Sequence, residues 1–406
     1  MDIHSIPALR RFGTIVFAFA FVLVSCKQSS VATNPASTMP PDNPVQVNPV
    51  IPKSPGVIVD PPDNPSTPAK IELGRHLFFD KAISVDGSTS CASCHTPSMG
   101  FSDSRGLATS MGFGGRMGTR NAPALANIGY NTVITWDGKF NTLEAHAFAP
   151  IFNNIEMGNN FSSNGSDPIS GGYYHSDQGA NDTSFLFGRL DGQQDRIQQA
   201  NPHSGKTDLN GKNYYTLLSD AWHTSTFSMD IIAKSIACYE RTFISTQSTF
   251  DRYNNGDESV YKYNPEAVHG MKLFMDVNGA NCISCHSGYN FTDQSFHNNG
   301  LGVGQKNDSG RCVISKDPAD IYKFKTPSLR NVALSGPYMH DGRFRSLEDV
   351  LAFYKSGGNT NATNKDPRIR PLNLSDQDMA DIIEFLKTLT DEKFTTNPAF
   401  TSPWGN

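Results

Sequence analysis

From about residue 71 onward, apolar residues recur at helical spacing, and few stretches alternate with period two for long. Leu73, Leu77 and Phe78 share one face of 71–80. A loop-rich stretch follows to about Ala126, then a short helical pattern over 143–149. Residues 159–220 are polar and Gly-rich and read as a surface insertion. Helical order returns with Ile232, Ile236, Tyr239 and Phe243. Asn264-Pro265 supplies an N-cap and a first helical residue ahead of Val268, Met271 and Met275. Ser346 caps a helix carrying Leu347, Val350, Leu351 and Tyr354. Ser375 caps a last one carrying Met379, Ile382, Ile383, Leu386 and Leu389. The pattern predicts a mainly α, loop-rich fold.

The first residues follow another logic. Arg10 and Arg11 precede an apolar run over 15–24, too short to span a bilayer as a mature helix. The run ends in Leu23-Val24-Ser25-Cys26, which resembles the lipobox of bacterial lipoproteins. The reading is a signal segment over 1–26 with lipidated Cys26; a plain secretory signal with a chance Cys is the alternative. Residues 27–69 hold 11 of the 25 prolines and no apolar period. They read as a tether of polyproline character, reaching roughly 130 Å if fully extended.

Composition narrows the function little. Hydrophobic residues at 37% and charged residues at 18% exclude a disordered polyelectrolyte. A formal net charge of −5 gives no global reason to expect a nucleic-acid partner. Apolar content is modest for 406 residues, which a large prosthetic group filling the core would explain.

The cysteines point to that group. Four of the seven form two copies of one motif, Cys91-Ala-Ser-Cys94-His95 and Cys282-Ile-Ser-Cys285-His286. Two thiols one turn apart can add to the two vinyl groups of one haem, with the adjacent His under the iron. The composition yields about 0.003 such motifs by chance. Zinc is the competing reading, but the pairs lie far beyond zinc-ribbon spacing and each brings its own His. A similar helix precedes each motif, with Leu73-Gly74-Arg75 in one and Gly270-Met271-Lys272 in the other, and a Phe-containing stretch follows at Phe101 and at Phe291. This predicts an internal repeat of two cytochrome c-like domains, each with one covalent c-type haem.

With these motifs the chain resembles the bacterial di-haem cytochrome c peroxidases, including the MauG-like enzymes. Further motifs carry the resemblance: Asn121-Ala122-Pro123, Trp136-Asp137-Gly138, Glu156-Met157-Gly158, Tyr239-Glu240-Arg241-Thr242, Phe250-Asp251-Arg252, Phe296-His297-Asn298, Lys325-Thr326-Pro327-Ser328-Leu329-Arg330-Asn331 and Pro337-Tyr338-Met339-His340-Asp341-Gly342. The resemblance implies an N-terminal peroxidatic domain over 70–225, interrupted by the insertion, and a C-terminal electron-transfer domain over 226–406. It implies peroxide reduction at the haem on His95 and electron relay through the haem on His286. It assigns Trp136 to the space between the haems and Glu156 to acid–base work. It gives a Ca²⁺ to the Asn121 side chain and the Ser335 and Pro337 carbonyls. His340 and His297 read as haem-propionate or second-layer partners, or as polar core. Asp137 and Glu144 read as solvated charges. The partners implied are hydrogen peroxide and either a small donor protein (cytochrome c or cupredoxin) or an oxidisable substrate, in the bacterial periplasm, with the membrane touched only through the lipid; a homodimer is left open. A non-catalytic di-haem electron carrier is the alternative from another class.

Two departures from the family pattern stand out. Where the bacterial peroxidases often carry a blocking His, this chain has Phe113, which cannot ligate iron. Where they place a distal Met at haem two, it has Tyr354, as the MauG-like branch does. A phenolate favours oxidised iron, whereas a thioether favours Fe(II). Met339 and Met379 are the alternative ligands. His146 stands where relatives tend to carry Gln, either in the distal pocket near Glu156 or as a core His. Cys238 and Cys312 are left over, as a disulfide or as buried thiols.

Overall fold

The computed structural model describes residues 51–159, 186–187, 190, 207–208, 210–262, 264–301, 308–359 and 361–404. The signal segment with Cys26, the tether up to residue 50 and most of the insertion lie outside the described residues.

The described helices are α1 (Pro68–Phe79), α2 (Cys91–Cys94), α3 (Leu143–Phe152), α4 (Tyr214–Trp222), α5 (Met229–Glu240), α6 (Thr249–Asn254), α7 (Pro265–Met275), α8 (Cys312–Ser315), α9 (Leu347–Lys355), α10 (Asp376–Lys387) and α11 (Glu392–Thr395). Among the described residues, the one sheet pairs β1 (Phe296–His297) antiparallel with β2 (Phe324–Lys325). The expected caps are made. Asn264 accepts from the Ala267 N–H with Pro265 behind it, Ser346 from Asp349 and Ser375 from Asp378. Helix α10 stops at Lys387, so Leu389 enters the core from beyond the helix.

Two apolar cores divide the body. The first packs α1 against α5 and α4, with α3 against α5, around Phe78, Phe101, Tyr239 and Phe243. Phe101 and Phe243 stack with centroids 3.8 Å apart. The second packs α7 against α10, around Phe250, Phe274, Phe291 and Phe385. The two main crossings are built alike. A Cβ on Gly74 of α1 would lie 1.9 Å from the Ser235 carbonyl oxygen of α5, and a Cβ on Gly270 of α7 would lie 1.9 Å from the Asp381 oxygen of α10. Each glycine lets two backbones touch, and the obstacle is backbone, which cannot swing aside. Gly74→Ala and Gly270→Ala are therefore each expected to cost about 1–3 kcal/mol through overpacking. Thermal unfolding of the holoprotein measures this, and an unchanged Tm would show that the helices separate freely.

Three expectations change. The tether does not run free to residue 69: Ile51 is buried in the second core, Asn254 Nδ2 donates to the Ile51 and Pro52 carbonyls, and Asn64 is fully buried. The insertion is not all surface, because Tyr214, Leu217 and Leu218 of α4 pack into the first core. That core also crosses the expected 225/226 boundary: α5 joins it, and Phe394, Phe400 and Trp404 return to it from the chain's end. Few long apolar patterns flag these residues, since each contributes one or two side chains to a core assembled elsewhere. Cys238 is a buried free thiol, so the disulfide with Cys312 falls.

Candidate active site

Each Cys-x-x-Cys-His motif begins on a short helical turn, at α2 and at Cys282–Ser284. His95 Nδ1 faces the Phe101 carbonyl at 3.0 Å, and His286 Nδ1 faces the Phe291 carbonyl at 2.9 Å. Both phenylalanines adopt positive φ, 61° and 52°, a strained choice for a bulky side chain. Backbone of Pro123 supports the first imidazole, and backbone of Pro327 the second. An imidazole donating from Nδ1 keeps its Nε2 lone pair for a metal. Burial lowers the pKa of both histidines and so favours the neutral, ligating form. Burial also pushes the Cys91 thiol up, Cys94 to about 11 and Cys282 to about 12.

Two turns of chain carry acid–base groups toward the first motif. Glu156 follows α3, its Oε1 held by Asn153 Nδ2 at 2.7 Å. Its carboxyl is accessible but stands in a concavity: dense surrounding protein raises its pKa above the ordinary 4.5, against the pull of Lys139. Its charge reaches both Cys91 and Cys94. His146 of α3 lies near enough to His95 to feel its charge, and burial holds it neutral with a pKa of about 4. Its Nδ1 is buried without a hydrogen-bond partner among the described residues. Phe113 is turned into the core: a Cβ on Gly158 would lie 2.4 Å from its ring, and its N–H donates to the Glu156 carbonyl at 2.9 Å. Gly112 presses on the same turn, where a Cβ would meet the Ile155 oxygen at 1.8 Å. The loop is thus fastened to the Glu156 turn.

A cavity of about 260 Å³ opens beside the second motif, lined by Cys282, Cys285, His286, Met339 and Tyr354 and reaching Trp136 and His146. Protein interiors are otherwise close-packed, so a cavity of this size is built to hold a group. Its lining fits a haem. Two thiols and a histidine border it, its surface is mostly apolar, and Lys325 stands against it with no ion pair among the described residues. Lys325 is 8% exposed, its Nζ reaches only the Thr326 carbonyl, and burial lowers its pKa to about 8. A buried cation without a counter-ion suits a haem propionate. Tyr354 and Met339 both border the cavity, whereas Met379 does not and packs beside the second core. Burial pushes the Tyr354 phenol up to about 12, with Asn299 opposing.

Between the motifs the two halves exchange equivalent bonds. The Asn121 N–H donates to the His340 carbonyl at 2.7 Å, and the Lys325 N–H donates to the Trp136 carbonyl at 2.8 Å. Trp136-Asp137-Gly138 and His340-Asp341-Gly342 occupy matching turns, closed by Ile134–Phe140 and Tyr338–Phe344 bridges. The Trp136 and His340 rings meet edge-on at 6.5 Å, and Trp136 Nε1 donates to the Asn121 carbonyl at 2.8 Å. His340 stacks on Phe324 at 3.6 Å and is kept neutral by burial, with a pKa of about 4. The internal repeat is therefore a pseudo-two-fold with Trp136 and His340 at its centre. Asn121, Ser335 and Pro337 border the same space; Asn121 Nδ2 turns to the Ala108 carbonyl, which leaves Oδ1 facing away from it.

Some charges read as solvated are structural. Asp137 is buried and bound by Arg120, which also grips Asp308. Glu144 accepts from Asn64 and Arg241. His297 sits between Asp293 at 2.8 Å and Asp366 at 2.9 Å on the cavity wall. Sequence reasoning passed over Glu240, buried near Cys91, with no partner for Oε2 among the described residues and its pKa raised to about 8 by burial. It also passed over Lys325 and Asn299; for Lys325 and Glu240 the signal was a charge within a motif that carries the resemblance.

Known proteins share this arrangement. The di-haem cytochrome c peroxidase profile matches residues 68–259, and a cytochrome c profile matches 267–390. The methylamine utilization protein MauG of Methylorubrum extorquens is 32% identical over 392 residues, 95% of this chain and 96% of that one. A cytochrome-c peroxidase of Denitromonas iodatirespirans is 31% identical over 400 residues, 91% of each chain. Among solved structures, a MauG-like protein associated with microbial copper homeostasis superposes with a TM-score of 0.68 at 29% identity, covering 90% of this chain and 100% of that one. The chain belongs to the di-haem cytochrome c peroxidase and MauG family: it is a haem-dependent peroxidase with two cytochrome c-type domains and two c-type haems.

Proposed function

We propose that hydrogen peroxide is reduced at the His95 site and that electrons arrive through the His286 site. The asymmetry of the two pockets carries this reading. Titratable Glu156 and buried, neutral His146 serve the first, while the second offers the ligand-type atoms of Tyr354 and Met339. Haems held by Cys91, Cys94 and His95 and by Cys282, Cys285 and His286 would supply the redox chemistry, peroxide reduction at the first and electron relay at the second. The chain supplies proton handling and positioning. Reduction of H₂O₂ to two waters consumes two electrons and two protons. Glu156, as carboxylate, takes the proton from the inner peroxide oxygen and returns it to the outer one, which leaves as water. Asn153 aims that carboxyl, and neutral His146, close to His95, offers a ring nitrogen as an acceptor. Trp136, fixed through Asn121, bridges toward His340 and the second site.

Asn121, with the Ser335 and Pro337 carbonyls, holds a Ca²⁺ that ties the halves together. Cys26 carries the lipid that anchors the protein to the envelope, facing the periplasm, and a small redox protein delivers the electrons. A second reading, peroxide-dependent oxidation of a protein or organic substrate, draws on Tyr354 as the distal ligand of haem two and on Phe113.

The fastened loop at Phe113 presents no imidazole to the first iron. The fully ferric enzyme is therefore expected to react with one equivalent of H₂O₂ in stopped flow before any reductant is added. A Soret spectrum that stays still until reductant arrives would mean that the first iron is blocked. A protein inert in both states would be an electron carrier and not the peroxidase proposed.

A further inference from the structure

The pocket beside His286 offers two candidate ligand atoms, the Tyr354 hydroxyl and the Met339 sulfur, and one side chain touches both. Asn299 Nδ2 lies 3.1 Å from Tyr354 Oη and 3.7 Å from Met339 Sδ. The amide's orientation is set from outside the pocket, because Asn299 Oδ1 accepts the Leu301 N–H at 3.2 Å. That bond requires the oxygen on one side and so delivers both N–H donors to the other. The loop bearing it is rigid. Asn298 Oδ1 accepts from the Gly300 N–H, Asn298 Nδ2 donates to the Thr363 carbonyl, and the Asn359 N–H donates to the Gly300 carbonyl. A Cβ on Gly358 would lie 2.8 Å from the Asn299 carbonyl oxygen, so the opposing chain is already in contact. Met339, in turn, is presented on a turn residue at φ 72°.

We propose that Asn299 selects the distal ligand of the second haem, holding the Tyr354 oxygen in place with one N–H and occupying the Met339 sulfur with the other. Asn299 is thus a positioning residue that acts through Tyr354, and the inference rests on Tyr354 being that ligand. An N–H on the phenolic oxygen fixes where that oxygen sits and complements the negative charge it would carry as a ligand. The same amide spends its second donor on the thioether, whose lone pairs are the competing ligand. Without the amide, the phenolate loses its stabilising donor and the sulfur is released to compete. Soft sulfur at this iron raises its potential.

Resonance Raman spectra and reductive titration of the ferric holoprotein test the role. In Asn299→Leu and Asn299→Ser, the phenolate–iron bands of haem two are expected to vanish, with thioether ligation and a higher midpoint potential in their place. The thioether signature is expected to disappear in Asn299→Leu combined with Met339→Leu. Phenolate bands that persist at full intensity in both single variants would overturn the selection by Asn299. Wild-type spectra without phenolate bands, or bands that survive Tyr354→Phe, would instead overturn the ligand assignment beneath it. If Asn299→Leu fails to mature with two haems, Asn299→Ser, which keeps a small polar side chain, decides the question.

Discussion

Glu156→Gln lowers the second-order rate of peroxide consumption by about 10²–10⁴-fold while leaving both haems attached, the range that removal of a positioned acid–base group commands. Gln keeps the shape of the side chain and the contact with Asn153, so the fold has no reason to change. It cannot take up the proton. The pH dependence gives a second signature. The carboxylate form does the work, and desolvation raises its pKa above 4.5, so the wild-type rate should fall as the solution is acidified, with a midpoint above 4.5. Lys139 is the cation facing it and limits the shift. His146, with a pKa of about 4, stays neutral through this range and does not produce the limb. The acid limb should therefore be absent from Glu156→Gln. An unchanged single-turnover rate in the variant would remove Glu156 from the mechanism.

What the sequence displays and what it hides separate along physical lines. The helices at Pro265, Leu347 and Asp376 were legible because their caps are local: Asn264, Ser346 and Ser375 bond within three residues. The attachment motifs were legible because covalent chemistry fixes thiol spacing. Arg120 with Asp308, and Arg241 with Glu144, were not, since those partners are far apart in sequence and meet only in the tertiary fold. Ile51 and Trp404 were missed for the same reason, each supplying a single side chain to a distant core. The repeat was visible only around the motifs. Between motif and proline, the second half is longer by about a dozen residues, which shifts a self-comparison out of register. The matching turns at Trp136 and His340 become plain from the reciprocal bonds of Asn121 and Lys325 and from the paired bridges that close them. Asn299 carries no periodic or charge signal at all; its role depends on two distances.

The separation of the two cores leads to the sharpest expectation. Cys91→Ser with Cys94→Ser, and Cys282→Ser with Cys285→Ser, should each lower the mature mass by one haem, yet fail in different ways. Loss of the first attachment removes the iron served by Glu156 and His146, so no spectral response to peroxide should remain. Loss of the second leaves the first core with its own aromatic cluster and its own attachment site. A single reaction with peroxide should survive there, whereas steady turnover with a donor should fall to background because the relay is gone. The second variant also leaves a void of about 260 Å³ beside α7 and α10. Loss of the haem's apolar contacts along that cavity should loosen the second core more than the first, which keeps its own aromatic cluster. Calorimetry of this variant should show the transition of the second half moved to lower temperature. Mass spectrometry, stopped flow and steady-state assays on the two double variants together decide the division of labour. If peroxide reactivity disappears with the second attachment and survives loss of the first, the roles of His95 and His286 are the reverse of those proposed.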